Sequence, residues 1–473
     1  MKTIFQYYSK SKKASKKHKK NNTKLLQSSL IALLYLALLC PAFGQLSVSE
    51  NGRYLVKQDG KPFFWLGDTA WGLFQKLDRE EVDFYLKERA EQGYSVIHAA
   101  AVHKNPFIVP ELENSYGDKA FANEALMKPA ITEGNDPEDS NAYDYWDHVD
   151  YIIDKAEEHG LTLVFLPLFG MTEGDAYNLI TPGNAYQYGT FLGKRYQHKG
   201  NLIWCMGGDV LAESPTQKAI WNLLARGITE GIAQSEDYSQ TLMTYHVRGG
   251  HSSSDYFENA PWIDFHMIQT WDSYTKIYGI VSNDYNHKIT KPVLHGEGAY
   301  EDGPEYPTKP ITPHKIRKQA YWATFAGGMH TYGNTNIWSF GSNPKYFTED
   351  WKEALLSEGA QSMFIYQAFF QSINWWDFIP DQSVFLEGKG DGDHLNVAMQ
   401  SESNQQLLVY FPEPAEVILD LKIFKGEKDI FIKWFDPKTG KEIKPTKEKN
   451  KGTLSIKTPN EMEDALLLLS SRK

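Results

Sequence analysis

The sequence has 2 cysteines in 473 residues, Cys40 and Cys205. That scarcity excludes a disulfide scaffold and a cysteine zinc cluster, so the fold must rest on its core. No period of 20 to 50 residues recurs, which excludes a stacked-repeat architecture. No helix shows His-Glu-x-x-His, and the first apolar strand carries no His-x-His pair. A metal-dependent barrel hydrolase therefore stays only an alternative, resting on His98, His103, His246, His295 and His330 near strand ends. No metal or other cofactor is expected. The longest apolar run, "LLQSSLIALLYLALL", is too short to span a bilayer comfortably.

Basic charge is also scarce outside the first 44 residues. Those residues hold nine lysines and no acid, so residues 45–473 carry 40 basic against 60 acidic side chains, a net of −20. Such a surface repels phosphate backbones and anionic membranes, which argues against a nucleic-acid partner. Residues 1–44 read as an export signal: a lysine-rich lead, the apolar run, then "PAFGQ" with small Ala42 and Gly44 before cleavage at Gln45. The mature protein is expected in the periplasm or secreted, with no membrane span. Lipoprotein anchoring through Cys40 is the weaker alternative, because Leu39 is bulkier than that processing accepts.

What is abundant is aromatic: 13 Trp, 27 Tyr and 25 Phe, 14% of the chain. Rings pack cores and stack on sugar faces, which makes a carbohydrate ligand worth testing. Eight short apolar runs end at residues 67, 100, 167, 208, 247, 270, 297 and 333, with stretches of helical period between them, among them 79–93, 143–160 and 312–328. Strands that are apolar throughout and alternate with helices predict a (β/α)8 TIM barrel over residues 45–379. The turn signals Asn51-Gly52 and Asp59-Gly60 place a hairpin under its floor. From Pro380 the texture changes to alternating apolar and polar residues with turn dipeptides, predicting an antiparallel β-sandwich domain over 380–473.

Active sites of such barrels sit at the C-terminal ends of the strands. The residues there are polar or aromatic: Asp68 and Trp71, His98 and His103, Asp209, His246 and Arg248, Gln269 and Trp271, Glu297, then His330, Tyr332, Asn334 and Trp338. "IWCMGGD" and "VLHGE" share one pattern, an apolar strand followed by glycine and a carboxylate. Strands four and seven face each other, so Asp209 and Glu297 can flank one glycosidic bond, one as proton donor and the other as nucleophile or base. They are the predicted catalytic pair. Asp68, Trp71, His98, His103, His246, Arg248, Gln269, Trp271, His330, Tyr332 and Trp338 are predicted substrate contacts, and Trp204 is a further candidate sugar platform.

The stretches "GRYLVKQDGKPFFWLGDTAW", "NLIWCMGGD", "MTYHVRGG", "KPVLHGEGAYE" and "GGMHTYGNTNIW", in that order, resemble the apiosidase-like glycoside hydrolases, family 140 of the sequence classification. "FIKWFDPKTGKEI" and "EDALLLLSS" resemble the small β-domain that accompanies them and carries a collagen-binding label. The resemblance covers nearly all of residues 46–473. It implies a barrel with an aspartate acid/base after strand four and a glutamate nucleophile after strand seven, roles that fall on Asp209 and Glu297. It further implies a carbohydrate substrate and release of a branched pentose such as apiose from a pectic side chain. The insertion from Val102 to Asn141 is expected to build subsites. A sugar-binding or adhesion protein on a silent barrel is the reading from another class, and it would not need the acid pair.

Overall fold

A computed structural model describes residues 45–104, 112–170, 178–342, 345–401, 403 and 405–472. The export-signal reading, and part of the Val102–Asn141 insertion, fall outside them. The eight predicted strands form at Leu66–Thr69 (β1), Val96–Ala100 (β2), Thr162–Leu166 (β3), Leu202–Val210 (β4), Met243–Val247 (β5), His266–Gln269 (β6), Val293–Glu297 (β7) and Met329–Tyr332 (β8). They pair in parallel in the order β5-β4-β3-β2-β1-β8-β7-β6. Between β5 and β6 the Asp264 N–H donates to the Met243 carbonyl at 2.9 Å and brings the two ends of the sheet together. At this seam His251–Ser252 also pairs antiparallel with β6.

Helices alternate with the strands as their local chemistry dictates. Arg79–Glu91 (α1) starts at a capping box between Asp78 and Glu81, and Tyr145–Glu158 (α2) at one between Asp144 and Asp147. Ala185–Tyr196 (α3) packs closely on Pro215–Ala233 (α4), whose proline at the first position and Ser214 cap fix its start. Ile277–Tyr285 (α5), Pro313–Phe325 (α6) and Glu358–Gln371 (α7) cover the remaining side. Alternation along each strand divides the core in two. Val96, Val164, Ile203, Cys205, Met267, Leu294 and Met329 fill the barrel, closed below by Leu46, Leu55 and Phe63 of the N-terminal hairpin. The other face of each strand packs on the helices.

The C-terminal segment forms nine strands: Ile379–Pro380 (β9), Phe385–Glu387 (β10), Val397–Ser401 (β11), Gln406–Phe411 (β12), Glu416–Asp420 (β13), Asp429–Phe435 (β14), Glu442–Lys449 (β15), Thr453–Lys457 (β16) and Ala465–Ser470 (β17). One sheet runs β9-β11-β12-β17-β14-β15 and the other β10-β13-β16, with Ala398, Leu407, Val409, Val417, Leu419 and Leu467 buried among them. The first sheet lies against α6. Tyr321 stacks on Tyr410 with ring centroids 4.4 Å apart, and the fully buried Arg317 guanidinium meets Asp464 at 2.8 Å. Trp322 donates its indole N–H to the Leu395 carbonyl at 2.9 Å, and Lys318 pairs with Asp393. Ten of the thirteen residues of α6 are buried, since it has strands on one side and the β-sandwich on the other.

Candidate active site

The end of β4 departs from regular strand geometry. Gly207 pairs with His246 and Val210 with Val247, so Gly208 and Asp209 have no partner on β5 and form a bulge. Gly207, Gly208 and Asp209 have φ of 90°, 110° and 54°, three consecutive residues in the left-handed half of conformational space. A Cβ on Gly207 would lie 2.4 Å from the His246 carbonyl oxygen, and one on Gly208 would lie 2.6 Å from the Gly170 nitrogen. Only glycine fits these two positions. Asp209 itself tolerates a conformation costing on the order of 1–3 kcal/mol, a strain that re-aims its side chain.

Glu297 also follows an irregularity: Ile268 pairs with His295 and Gln269 with Glu297, so Gly296 has no partner on β6. A Cβ on Gly296 would lie 2.2 Å from Met267 Cε, so the residue before the carboxylate must be bare for β7 to pass β6. The Glu297 carbonyl accepts the Thr270 N–H at 2.9 Å, which ties the end of β7 to that of β6.

His246 joins the two acids. Its Nδ1 accepts the backbone N–H of Asp209 at 2.9 Å, and its Nε2 lies 2.7 Å from Glu297 Oε2. A backbone amide can only donate, so Nδ1 carries no proton, and the ring donates through Nε2–H to the glutamate. Tyr300 accepts the Trp71 indole N–H at 2.9 Å and lies beside Glu297, whose negative charge acts on its hydroxyl. The Gln269 side chain lies beside the Asp209 carboxyl, and its buried Oε1 has no partner among the described residues. Burial, then the negative charge of Glu297, push the Asp209 carboxyl up to about 6, against the smaller opposing influences of His246, Arg248 and the Gln269 hydrogen bond. A carboxyl raised this way holds its proton at mildly acidic pH while a second, hydrogen-bonded carboxyl stands opposite: the two roles that hydrolysis at a sugar carbon requires.

Around the pair is an aromatic wall. Trp71 packs edge-on to His246 at 5.1 Å and against Phe169 at the same distance, and Phe169 lies 4.4 Å from the ring of His103. Burial lowers His103 to about 4, and its Nδ1 has no partner among the described residues. Trp271 is 42% exposed, and Trp338 is half-buried beside Tyr300. Arg248 is exposed on the β5 side. His98 lies one layer deeper, against Trp71 and Trp65, with Nε2 at 3.1 Å from the Thr331 hydroxyl.

Asp209, Glu297, Trp71, His103, His246, Arg248, Gln269, Trp271 and Trp338 thus come together at one end of the barrel. Besides His98, four other candidates do not. Asp68 faces α1, where its Oδ2 accepts from Arg89 at 2.7 Å and from Tyr85 at 2.6 Å. His330 faces outward and stacks on His295, their Nδ1 atoms 3.0 Å apart. Tyr332, also outward, donates to Glu301 at 2.6 Å. Trp204 packs on Phe165 and Tyr196 in the helix-facing core. The reason is the period of two: successive side chains take opposite faces, and β1 and β8 turn Gly67 and Thr331 inward. Sequence reasoning passed over Tyr300 and Phe169. Tyr300 stands three residues beyond Glu297, and Phe169 two beyond the proline that ends the β3 run, where no polar residue drew notice.

Residues 49–377 match the family described as "Apiosidase-like, catalytic domain". Residues 379–470 match "Putative collagen-binding domain of a collagenase". No curated protein matches the chain. Among solved structures, one titled as a glycoside hydrolase is 29% identical with a TM-score of 0.77, covering 91% of this chain and 98% of its own. A glycoside hydrolase family 5 protein from Bacteroides vulgatus is 27% identical with the same TM-score, covering 90% and 93%. A third structure, at 15% identity and a TM-score of 0.65, shares the fold.

Proposed function

The chain belongs to the apiosidase-like glycoside hydrolases, and on that premise we propose that it cleaves a plant or algal polysaccharide by a two-carboxylate, retaining mechanism with Glu297 as nucleophile and Asp209 as acid and base. Glu297 attacks the anomeric carbon as the bond to the leaving oxygen breaks, and the proton of Asp209 passes to that oxygen. Asp209, now a carboxylate, takes a proton from water, whose oxygen displaces Glu297 from the sugar. The Nε2–H of His246 aims the glutamate, with Tyr300 beside it. Trp271 and Trp338 offer faces for sugar rings, while Trp71 is buried.

The observation that supports this best is the raised carboxyl of Asp209 beside a hydrogen-bonded Glu297, each held by the same imidazole. The finer proposal is release of a branched pentose such as apiose from pectic side chains, by a protein exported to the periplasm or beyond. The test is a screen of pectic and algal glycans for released sugars, with the first-formed anomer of the product read by proton NMR. Release of apiose with the anomeric configuration kept supports the proposal. Inversion would remove the nucleophile role, and no release from any glycan would remove the hydrolytic one.

A further inference from the structure

The tip of the β-sandwich concentrates one sign of charge. Residues 421–457, the two turns at the tip together with β14 to β16, hold eleven lysines against five acidic residues, with Glu427 and Asp429 at the turns themselves, in a chain whose residues 45–473 carry 40 basic and 60 acidic side chains. Two turns meet there, 421–428 ahead of β14 and 450–452 between β15 and β16. Asn450 stitches them: its side-chain amide donates to the carbonyls of Phe424 at 2.8 Å and Glu427 at 3.1 Å, and its backbone N–H donates to that of Lys428. The Leu421 N–H donates to the Gly452 carbonyl at 3.0 Å. The stitched turns present Lys422, Lys425, Lys428, Lys449 and Lys451, all exposed. Lys449 shares Asp429 with Lys447, and Lys422 reaches the Ser383 hydroxyl. Lys425, Lys428 and Lys451 have no carboxylate partner among the described residues. Around Gly426 and Gly452 the space is open, so nothing overhangs the cluster.

Edge protection does not account for these lysines. β15 is an edge strand, and lysine along such a strand deters pairing with another chain. That work falls to Lys444 and Lys447, helped by Pro445 and by the register shift between Ile432 and Trp434. Lys449 ends that strand, but Lys422, Lys425, Lys428 and Lys451 lie off it. Held within two tied turns, they repel one another, and a polyanion would relieve that repulsion.

We propose that this tip binds an anionic polysaccharide, a flexible chain carrying carboxylate or sulfate groups at intervals along it. A membrane face or a stiff duplex wide enough to reach the tip would also meet the acidic remainder of the molecule, whereas a single glycan chain engages the tip alone. The choice of a glycan rests on the reading of the barrel as a glycan hydrolase. Binding is measured on immobilised polygalacturonate and on a sulfated galactan, each beside its carboxyl-reduced or desulfated form, over a range of salt. Retention on at least one charged polymer and not on its neutral form is expected, and which polymer is held distinguishes carboxylate from sulfate. Lys425→Gln, Lys428→Gln and Lys451→Gln together should weaken binding at least tenfold and flatten the salt dependence by about 2 in logarithmic slope, with melting temperature as the control for folding. Failure of the parent chain to bind either charged polymer, or equal binding by the triple variant, overturns the proposal. Equal or tighter binding to duplex DNA or phosphatidylglycerol vesicles overturns it too. Because the readout is retention and not turnover, a chain that binds but hydrolyses nothing would sink the reading of the barrel and leave the tip standing.

Discussion

Asp68 and Asp464 are as buried as any acid in the molecule, yet their surroundings differ in kind from those of Asp209 and Glu297. Asp68 faces Arg89 and Asp464 faces Arg317, each arginine fully buried, so every negative charge taken out of water has a fixed positive one against it. Asp209 and Glu297 face each other and a ring with one proton to give. The first arrangement is closed: any proton entering it breaks an ion pair. The second is unbalanced, and its imbalance is held by a strained backbone and by glycines that leave no room for relaxation. Burial therefore separates no functional acid from a structural one. The sign of the nearest neighbour does.

If that distinction is right, substitutions in the two sets should fail in different assays. The largest effect is expected from Glu297→Gln, which keeps the hydrogen bonds but removes the attacking charge. Turnover of a responsive glycan should fall by about 10⁴-fold or more with the fold retained, read as kcat beside a thermal melt. Next comes Asp68→Ala, which leaves the Arg89 guanidinium buried and unpaired. It should cost about 3–5 kcal/mol in denaturant unfolding, with activity per folded molecule nearly kept. A stable Asp68→Ala protein that had lost turnover would break the comparison.

Asp209→Asn sharpens it. On natural glycans the loss should be roughly 10²–10⁴-fold, shrinking sharply for an aryl glycoside whose leaving group needs no proton. In the parent, kcat/KM should fall as pH rises through about 6, because Asp209 must be protonated to donate, and that limb should vanish in the variant. The smallest expected effect is on stability and has the opposite sign to that of Asp68→Ala. A carboxyl raised from its ordinary value binds its proton more tightly folded than unfolded, so the folded state loses stability as pH climbs from about 4 to 6. Asp209→Asn should then melt a few degrees higher than the parent at pH 7 and show little gain at pH 4. Equal melting temperatures at both values would show that Asp209 is not held against its preference.

The barrel was legible in the sequence because eight apolar runs and the helices between them repeat one pattern, and the meeting of Asp209 and Glu297 at its mouth because two runs end alike. The faces were not legible. Asp68, His330 and Tyr332 stand at strand ends as Glu297 does, but one step of the pleat sends a side chain to the helices or to the mouth. A string of letters does not say which apolar residue turned inward first. In β7 the count is reset where the register shifts at Gly296, so even a correct inward phase for Leu294 would send Glu297 to the helices instead of the mouth. Tyr300 was invisible for another reason: its importance comes from Trp71, 229 residues away in the chain.

The helix α6 has a consequence for anyone wishing to shorten this protein. Sheathed on one flank by the barrel and on the other by the β-sandwich, it has no side made for water. A gene trimmed after residue 379 would leave Tyr321, Trp322 and the charge of Arg317 bare on what had been an interior, so the hydrolase is best handled, expressed and evolved as an indivisible two-part body.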